Sequence, residues 1–320
     1  MKRKKEKVPQ EKKLFSNKQL IMAMVLVATI ALGFLISAFL LQTREVKFSS
    51  KAAIIDQLGK DFPNTEFNET VASLLENNGF NDVSYHRSES VNVTFYKGLA
   101  KYNYGVIILR AHSALRKGET IVDFFTSEEY SENEHVSEQD NGLLTRGYYS
   151  WEPNKFYFAV TPKFIENLEG SFPKSIIIAM GCNSLNETCT EMANAFINKG
   201  AKAYIGWTGL VDSSHTDSET IKLLKMLLDE NQTITDAVSK VSPDWQHYPS
   251  EMKFYPLSAG NLRISDLMAE AKAIATLQIT FYNFEKCFLI YITNVARFIK
   301  LSCVLKLLCI VYCGVHRPLD

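Results

Sequence analysis

Short apolar runs alternate with amphipathic segments along the middle of the chain. The runs include KAAIID, VIILR, SIIIAM and AYIGW, and near-continuous apolar strands of this kind are typical of a parallel sheet covered on both faces. Helical spacing is clearest in a segment closed by Gly79, at Phe67, Val71, Leu74 and Leu75. The alternation predicts an α/β fold, a three-layer αβα sandwich with a mostly parallel sheet.

Two of these apolar runs end in residues that can do chemistry. VIILRAHSA presents His112 after its strand, and SIIIAMGCNSL presents Cys182 after Gly181. Ligands bind beyond the carboxyl ends of strands in open α/β sheets, so neighbouring strands would bring the two side chains together. An imidazole can take the proton of a thiol, and the thiolate can attack a carbonyl carbon. Backbone N–H groups of Ser113 and Cys182 are the candidate donors to the resulting oxyanion.

A membrane anchor is predicted at residues 20–41. These twenty-two residues carry no charge, a length that spans the hydrocarbon core of a bilayer. The apolar run is longer than that of a cleaved signal peptide. Residues 1–19 hold eight Lys/Arg against two Glu, and the positive-inside rule places this basic tail in the cytoplasm. The sequence therefore predicts a single-pass protein whose main domain, residues 42–266, lies outside the cytoplasm.

Charge argues against one class of partner for that domain, and cysteine content argues against a disulfide framework. The whole chain is neutral, but residues 42–266 carry about −9, which argues against nucleic acid because phosphate binding needs a basic face. Six cysteines are present, of which two lie in the domain, so no disulfide framework is expected. Four Asn-x-Ser/Thr sequons agree with an external location, at Asn68, Asn92, Asn186 and Asn231.

The C-terminal segment, residues 267–320, leaves its structure open. It is strongly apolar, yet Arg297, Lys300 and Lys306 interrupt it, and charges in a bilayer core are costly. A segment lying in the membrane interface, a packed or disordered appendage, and an atypical C-terminus all fit this apolar and basic pattern.

The order of the two strand-end residues resembles a known group of enzymes. An apolar strand ending in His, followed later by an apolar strand ending in Cys, is similar to the caspase, gingipain, legumain and separase superfamily of cysteine peptidases. The downstream MANAFINKGAKAYIGWTGLVD is similar to the run that follows the Cys strand in the related CHAT peptidase domains. The resemblance covers roughly residues 50–266 and implies a caspase-like fold, with His112 as general base and Cys182 as nucleophile.

The resemblance also assigns roles to three further residues. Asp56 occupies the place of the polar residue that orients the histidine in legumain-like members, or it caps the strand or a turn. Trp207 resembles the aromatic wall of the specificity pocket in gingipain-like sites, or it is an ordinary core tryptophan. Asp212 is placed to pair with a basic P1 side chain, or it is the N-cap of the helix that follows.

The sequence departs from the superfamily pattern at two places, and these departures support a second hypothesis about its function. Ser113 stands where Gly is commoner, and Asn183-Ser184 follows the cysteine. The first hypothesis is a membrane-anchored cysteine endopeptidase that acts on peptide or protein substrates. The second is a catalytically inactive caspase-like ectodomain that binds such partners, and a transferase of the same fold is a third possibility.

The other histidines, Cys189 and the acidic residues fit structural roles better than catalytic ones. His215 fits a solvated position in the first turn of a helix, and Cys189 fits a helix core better than a redox partner of Cys182. The histidines show no zinc-ligand spacing, and no cofactor is expected. Six carboxylates between Glu128 and Asp140 form an acidic loop, which is either a solvated segment or a site that favours cationic substrates or Ca²⁺.

Overall fold

Among the residues that the structure describes, the strands form two separate sheets. A computed structural model describes residues 24, 27–31, 33–34, 47–246 and 249–298. The elements in chain order are β1 (Lys51–Asp56), α1 (Thr65–Asn77), β2 (Asp82–Arg87), α2 (Val93–Gly98), β3 (Val106–Arg110), β4 (Ser113–Leu115), β5 (Val122–Glu129), α3 (Val136–Asp140), β6 (Leu144–Tyr149), β7 (Glu152–Val160), α4 (Pro162–Glu166), β8 (Ile176–Ala179), α5 (Glu191–Asn198), β9 (Ala203–Trp207), α6 (Ser213–Leu228), α7 (Ile234–Val238), β10 (Met252–Tyr255) and α8 (Ile264–Phe298).

The larger sheet has six strands in the order β2-β1-β3-β8-β9-β10. Its first five strands are parallel to their neighbours, and β10 runs antiparallel at the edge. The predicted α/β fold with a mostly parallel sheet is therefore confirmed. Strands β3 and β8 are direct neighbours, with Leu109 opposite Ala179.

Both faces of this sheet are buried, which explains the uninterrupted apolar runs in the sequence. Ile54 and Ile108 pack with α1 and α6 in one apolar cluster. Ile55 and Leu109 point to the other face, where they pack with α4 and α5. Alternate side chains of one strand point to opposite faces, so each central strand must be apolar at almost every position.

The smaller sheet is antiparallel, has the strand order β4-β5-β7-β6, and is inserted in the chain between β3 and β8. It begins directly after His112, whose carbonyl accepts a hydrogen bond from the Phe125 N–H at 2.9 Å. The sequence predicts β structure on either side of the acidic loop, as observed at β5 and β7, but it does not predict a second sheet. The insertion places aromatic side chains close to His112.

The chain divides into two units, one of residues 46–276 and one of residues 1–45 together with 277–320. Of the predicted anchor the structure describes only residues 24, 27–31 and 33–34, which are helical, and the rest of it lies outside the described residues. Within the described ranges, no helix combines the length and apolarity needed to cross a bilayer. In the C-terminal segment, helix α8 reaches Phe298, and residues 299–320 lie outside the description.

Candidate active site

The segments that follow β3 and β8 lie in direct contact. The Met180 N–H donates to the Leu109 carbonyl at 2.9 Å. Three residues beyond β3, the Ser113 hydroxyl donates to the Cys182 carbonyl at 2.6 Å. The carboxyl ends of the two strands therefore bring the His112 and Cys182 segments to the same edge of the sheet, as the strand arrangement predicted from the sequence requires.

Gly181 is required for this close approach. A Cβ atom at this position would lie 2.4 Å from the Ala111 carbonyl oxygen and 2.3 Å from the Ser113 hydroxyl. Contacts this short with backbone do not occur, so only glycine lets the two segments touch. The sequence signal for this was the glycine directly before the cysteine.

Cys182 is half-buried and holds its sulfur against a neighbouring loop. Its thiol donates to the Val211 carbonyl at 3.6 Å, and its sulfur accepts from the Val211 N–H at 3.5 Å. Burial raises the pKa of the thiol and the carboxylates of Asp244 and Asp212 add to this effect, whereas the Val211 N–H opposes it. The resting group is a protonated thiol at neutral pH.

His112 sits among four aromatic rings. The distances from its ring centroid are 4.6 Å to Tyr149, 5.3 Å to Trp151, 5.9 Å to Phe62 and 6.3 Å to Phe125. Its Nε2 atom is covered and has no hydrogen-bond partner within the described part of the chain. Burial, and then the positive charge of Arg110, lower the pKa of His112 to about 4. The imidazole is therefore neutral at physiological pH and able to accept a proton.

Gln57 fixes the position of His112 through two hydrogen bonds. Its Oε1 accepts from the His112 backbone N–H at 2.9 Å, and its Nε2 donates to the Tyr149 hydroxyl at 2.8 Å. Because the Tyr149 ring packs on the imidazole, this one buried side chain holds both the backbone and the ring contact of His112. Gln57 was not predicted as a site residue, although it directly follows the strand-end residue Asp56.

Asp56 has partners other than His112. Its Oδ1 accepts from Arg110 Nη1 at 2.7 Å, and its Oδ2 accepts from the Tyr85 hydroxyl at 2.8 Å and from Asn68 Nδ2 at 3.1 Å. These contacts place the carboxylate in a buried polar cluster beneath the site. The histidine-orienting contact is made by the next residue, Gln57.

Trp207 and Asp212 have the structural roles that the sequence offers as alternatives to a substrate pocket, namely a core tryptophan and a helix N-cap. Trp207 is fully buried and its Nε1 donates to Thr216 Oγ1 at 2.8 Å, so its ring belongs to the core. Asp212 is the N-cap of α6, where Oδ1 accepts from the Ser214 N–H at 2.8 Å. Its backbone N–H donates to Asp244 Oδ2 at 2.7 Å, which orders the loop that holds the Cys182 sulfur.

The two side chains of the predicted dyad face different surroundings. Among the described residues, no hydrogen bond joins His112 Nε2 to the Cys182 sulfur, and the thiol donates to the Val211 carbonyl instead. The candidate oxyanion donors lie at this junction: Ser113 begins β4, and Cys182 is the residue whose carbonyl accepts from the Ser113 hydroxyl. The arrangement supplies a neutral base and a protonated nucleophile on adjoining segments.

The remaining reactive residues have other partners. His215 Nε2 contacts the Ser242 carbonyl at 2.9 Å. Cys189 is buried, but it lies in an isolated bridge with Asn186 before α5 rather than in a helix core. In the acidic loop Glu128 contacts His135 at 2.6 Å, and Glu138 pairs with Lys97 at 2.5 Å. Within the described ranges, no three His, Cys, Asp or Glu side chains group to hold a metal ion.

A cavity of about 520 Å³ lies at the carboxyl ends of β1 and β2. Its walls include Asp56, Asn68, Tyr85 and Arg87, and neither His112 nor Cys182 lines it. The cavity is therefore separate from the junction of the His112 and Cys182 segments.

The lowered pKa of His112 in the folded protein predicts that its stability depends on pH. The folded protein binds this proton only below about pH 4, whereas an unfolded histidine titrates near 6.5. Between these values the unfolded chain binds more protons, so the free energy of unfolding falls as the pH drops from 6.5 to 4. At about 1.4 kcal/mol per pKa unit, the loss is on the order of 3 kcal/mol.

The measurement is urea unfolding of the full-length protein at several pH values, compared with His112→Phe. The phenylalanine fills the same aromatic surroundings but does not titrate, so its curve should be flatter in this range. Parallel curves for the two proteins would contradict the assignment.

Comparisons with known proteins find similarity of structure alone. No known family and no curated protein matches the sequence. Among solved structures, the chain is similar to the Arg-specific cysteine proteinase gingipain R, with a TM-score of 0.40 and 11% sequence identity. The match covers 62% of this chain and 41% of the proteinase. The chain thus corresponds to less than half the length of that protein.

Proposed function

We propose that this chain is a cysteine endopeptidase of caspase-like fold that acts on peptide or protein substrates through Cys182 and His112. The observation that carries the proposal is the contact between the ends of β3 and β8, where Ser113 Oγ donates to the Cys182 carbonyl at 2.6 Å. This contact fixes a thiol and a neutral imidazole on adjoining backbone segments. The predicted anchor at residues 20–41 would hold the domain at the outer face of a membrane.

The proposed reaction follows from the protonation states of the two side chains, a neutral imidazole at His112 and a protonated thiol at Cys182. His112 accepts the thiol proton while the Cys182 sulfur attacks the carbonyl carbon of the scissile peptide bond. The bond between that carbon and the leaving nitrogen then breaks, and the imidazolium gives its proton to the leaving amine. Water hydrolyses the resulting thioester. Substrate must displace the thiol from Val211 for this sequence to begin, because the resting sulfur is hydrogen-bonded there.

A second function is favoured by one observation. The Nε2 atom of His112 is covered, with no hydrogen-bond partner among the described residues, and the thiol is bound to Val211. A domain with this geometry and no catalysis would bind peptides or proteins at the same surface without cleaving them.

Covalent labelling separates the two functions. The full-length protein is treated with peptidyl acyloxymethyl ketones that differ at P1, and adducts are located by mass spectrometry. These reagents need an activated thiol, so the peptidase should carry one adduct, on Cys182. Cys189→Ala is the matched control, since it removes a buried cysteine seven positions away and should keep the adduct, whereas Cys182→Ala should lose it.

A folded protein that reacts with iodoacetamide at Cys182 but with none of the ketones would favour the binding function. Reaction with iodoacetamide shows that the Cys182 sulfur is accessible to reagents. Absence of labelling by the ketones then means that the thiol is not activated.

A further inference from the structure

Two large aromatic side chains are exposed beside the proposed base. Trp151 is 51% and Phe62 is 37% exposed, whereas Tyr149 beneath them is 4% exposed. Together these three residues form what we call the aromatic patch. Trp151 occupies the turn between β6 and β7, and Phe62 lies in the loop between β1 and α1. Exposed aromatic side chains that group beside a reactive residue mark a binding surface.

The aromatic patch is held in one arrangement before any ligand arrives. Trp151 stacks on Tyr149 with a centroid distance of 5.0 Å and an angle of 12°. Phe62 meets Trp151 edge to face at 5.6 Å, and its carbonyl accepts a hydrogen bond from the buried Arg110 at 2.8 Å. A surface that is already ordered loses little conformational entropy when it binds.

The position of the patch relative to His112 decides which part of a substrate would reach it. In acyl transfer, the imidazole that takes the thiol proton later gives it to the leaving amine. The leaving nitrogen must therefore come within hydrogen-bond reach of His112. The residue that carries this nitrogen is the first residue after the cleaved bond, and its side chain then lies near the exposed rings that contact the imidazole, Trp151 and Phe62.

We infer that the aromatic patch is the subsite for the residue that follows the scissile bond, and that it selects an aromatic or large aliphatic side chain there. The inference rests on the proposed peptidase function and deepens it. Rings are favoured because Phe62 and Trp151 offer both a face and an edge, the two geometries in which aromatic pairs attract each other.

The test is the cleavage profile of the full-length protein on a proteome-derived peptide library, read by mass spectrometry. Aromatic and large aliphatic residues should be enriched directly after the cleaved bond. In Trp151→Ala this enrichment should fall, and for two peptides that differ only by Phe or Gly at that position, the ratio of their kcat/KM values should drop roughly 3- to 10-fold.

Tyr148→Ala is the matched control. Tyr148 is also an exposed aromatic residue of the same hairpin, at 56%, but its ring packs against Phe156, and strand alternation directs it away from Tyr149. Its profile should equal that of the unchanged protein. The rate of iodoacetamide labelling of Cys182 should be the same in all three proteins, which shows that the site is intact.

The outcomes are distinguishable. Cleavage without a preference after the bond, or a preference that Trp151→Ala leaves unchanged, overturns the subsite and leaves the peptidase standing. A preference confined to residues before the bond also overturns it. Absence of any cleavage, together with absence of labelling by acyloxymethyl ketones, rejects the peptidase itself and the subsite with it.

Discussion

The Cys182→Ala variant is expected to lose peptide hydrolysis completely. Removal of the sulfur leaves no nucleophile at the junction of β3 and β8, and the alanine side chain still fits the half-buried site. His112→Asn should keep the nucleophile but lose the base, and a positioned general base contributes roughly 10²- to 10⁴-fold. The rates are measured as kcat/KM on a peptide that the full-length protein cleaves.

A control variant and a check of the fold complete this test. Cys189→Ala should hydrolyse the peptide at the unchanged rate, because Cys189 is buried in the segment before α5 and has no assigned part in the reaction. Near-identical circular dichroism spectra of all variants would show that the fold is kept. Hydrolysis that persists in Cys182→Ala would mean that another residue, or a contaminating peptidase, supplies the activity, and it would contradict the assigned nucleophile.

The second large effect concerns stability. Arg110 is 1% exposed, and its guanidinium binds Asp217 through two hydrogen bonds of 2.8 Å and Asp56 through one of 2.7 Å. Arg110→Met removes the cation that pairs with both buried carboxylates, so we expect the free energy of unfolding to fall by about 3–5 kcal/mol. The measurement is guanidinium chloride unfolding of the full-length protein followed by tryptophan fluorescence.

Two comparisons test the cause of that loss. Lys51→Met removes the partner of Asp82 in a pair whose side chains are each 46% exposed, and it should change stability little, because solvent screens such pairs. Adding Asp56→Asn and Asp217→Asn to Arg110→Met should restore part of the lost stability, since no uncompensated charge then remains buried. An Arg110→Met protein that unfolds at the same denaturant concentration as the unchanged protein would refute the argument.

The sequence predicts the central sheet well because its signal is local. A parallel strand buried on both faces is apolar throughout, so β1, β3, β8 and β9 stand out as runs. The helix at residues 65–77 is equally clear from its spacing, and Gly79 after it has the positive φ of +91° that a C-cap residue favours. The ends of β3 and β8 could be matched because parallel strands expose their carboxyl ends at one edge.

The surroundings of the candidate dyad could not be predicted in the same way. The rings around His112 come from the loop before α1 and from β5, β6 and the β6–β7 turn, and no local pattern links these segments. The same holds for Arg110, whose partner Asp217 is 107 residues away. Asp56 was assigned to His112 from its strand-end position, but a buried arginine on the neighbouring strand attracts a carboxylate more strongly than a neutral imidazole does.

The insertion between β3 and β8 has a consequence for folding kinetics. Ser113 and Cys182 touch although they are 69 residues apart, so their contact closes a long loop, and contacts of high sequence separation slow folding. The intervening antiparallel sheet must be in place before the loop can close at little entropic cost. We therefore expect the junction of the His112 and Cys182 segments to form late in folding, so that a chain emerging from the ribosome carries its thiol and imidazole apart until the domain is nearly complete.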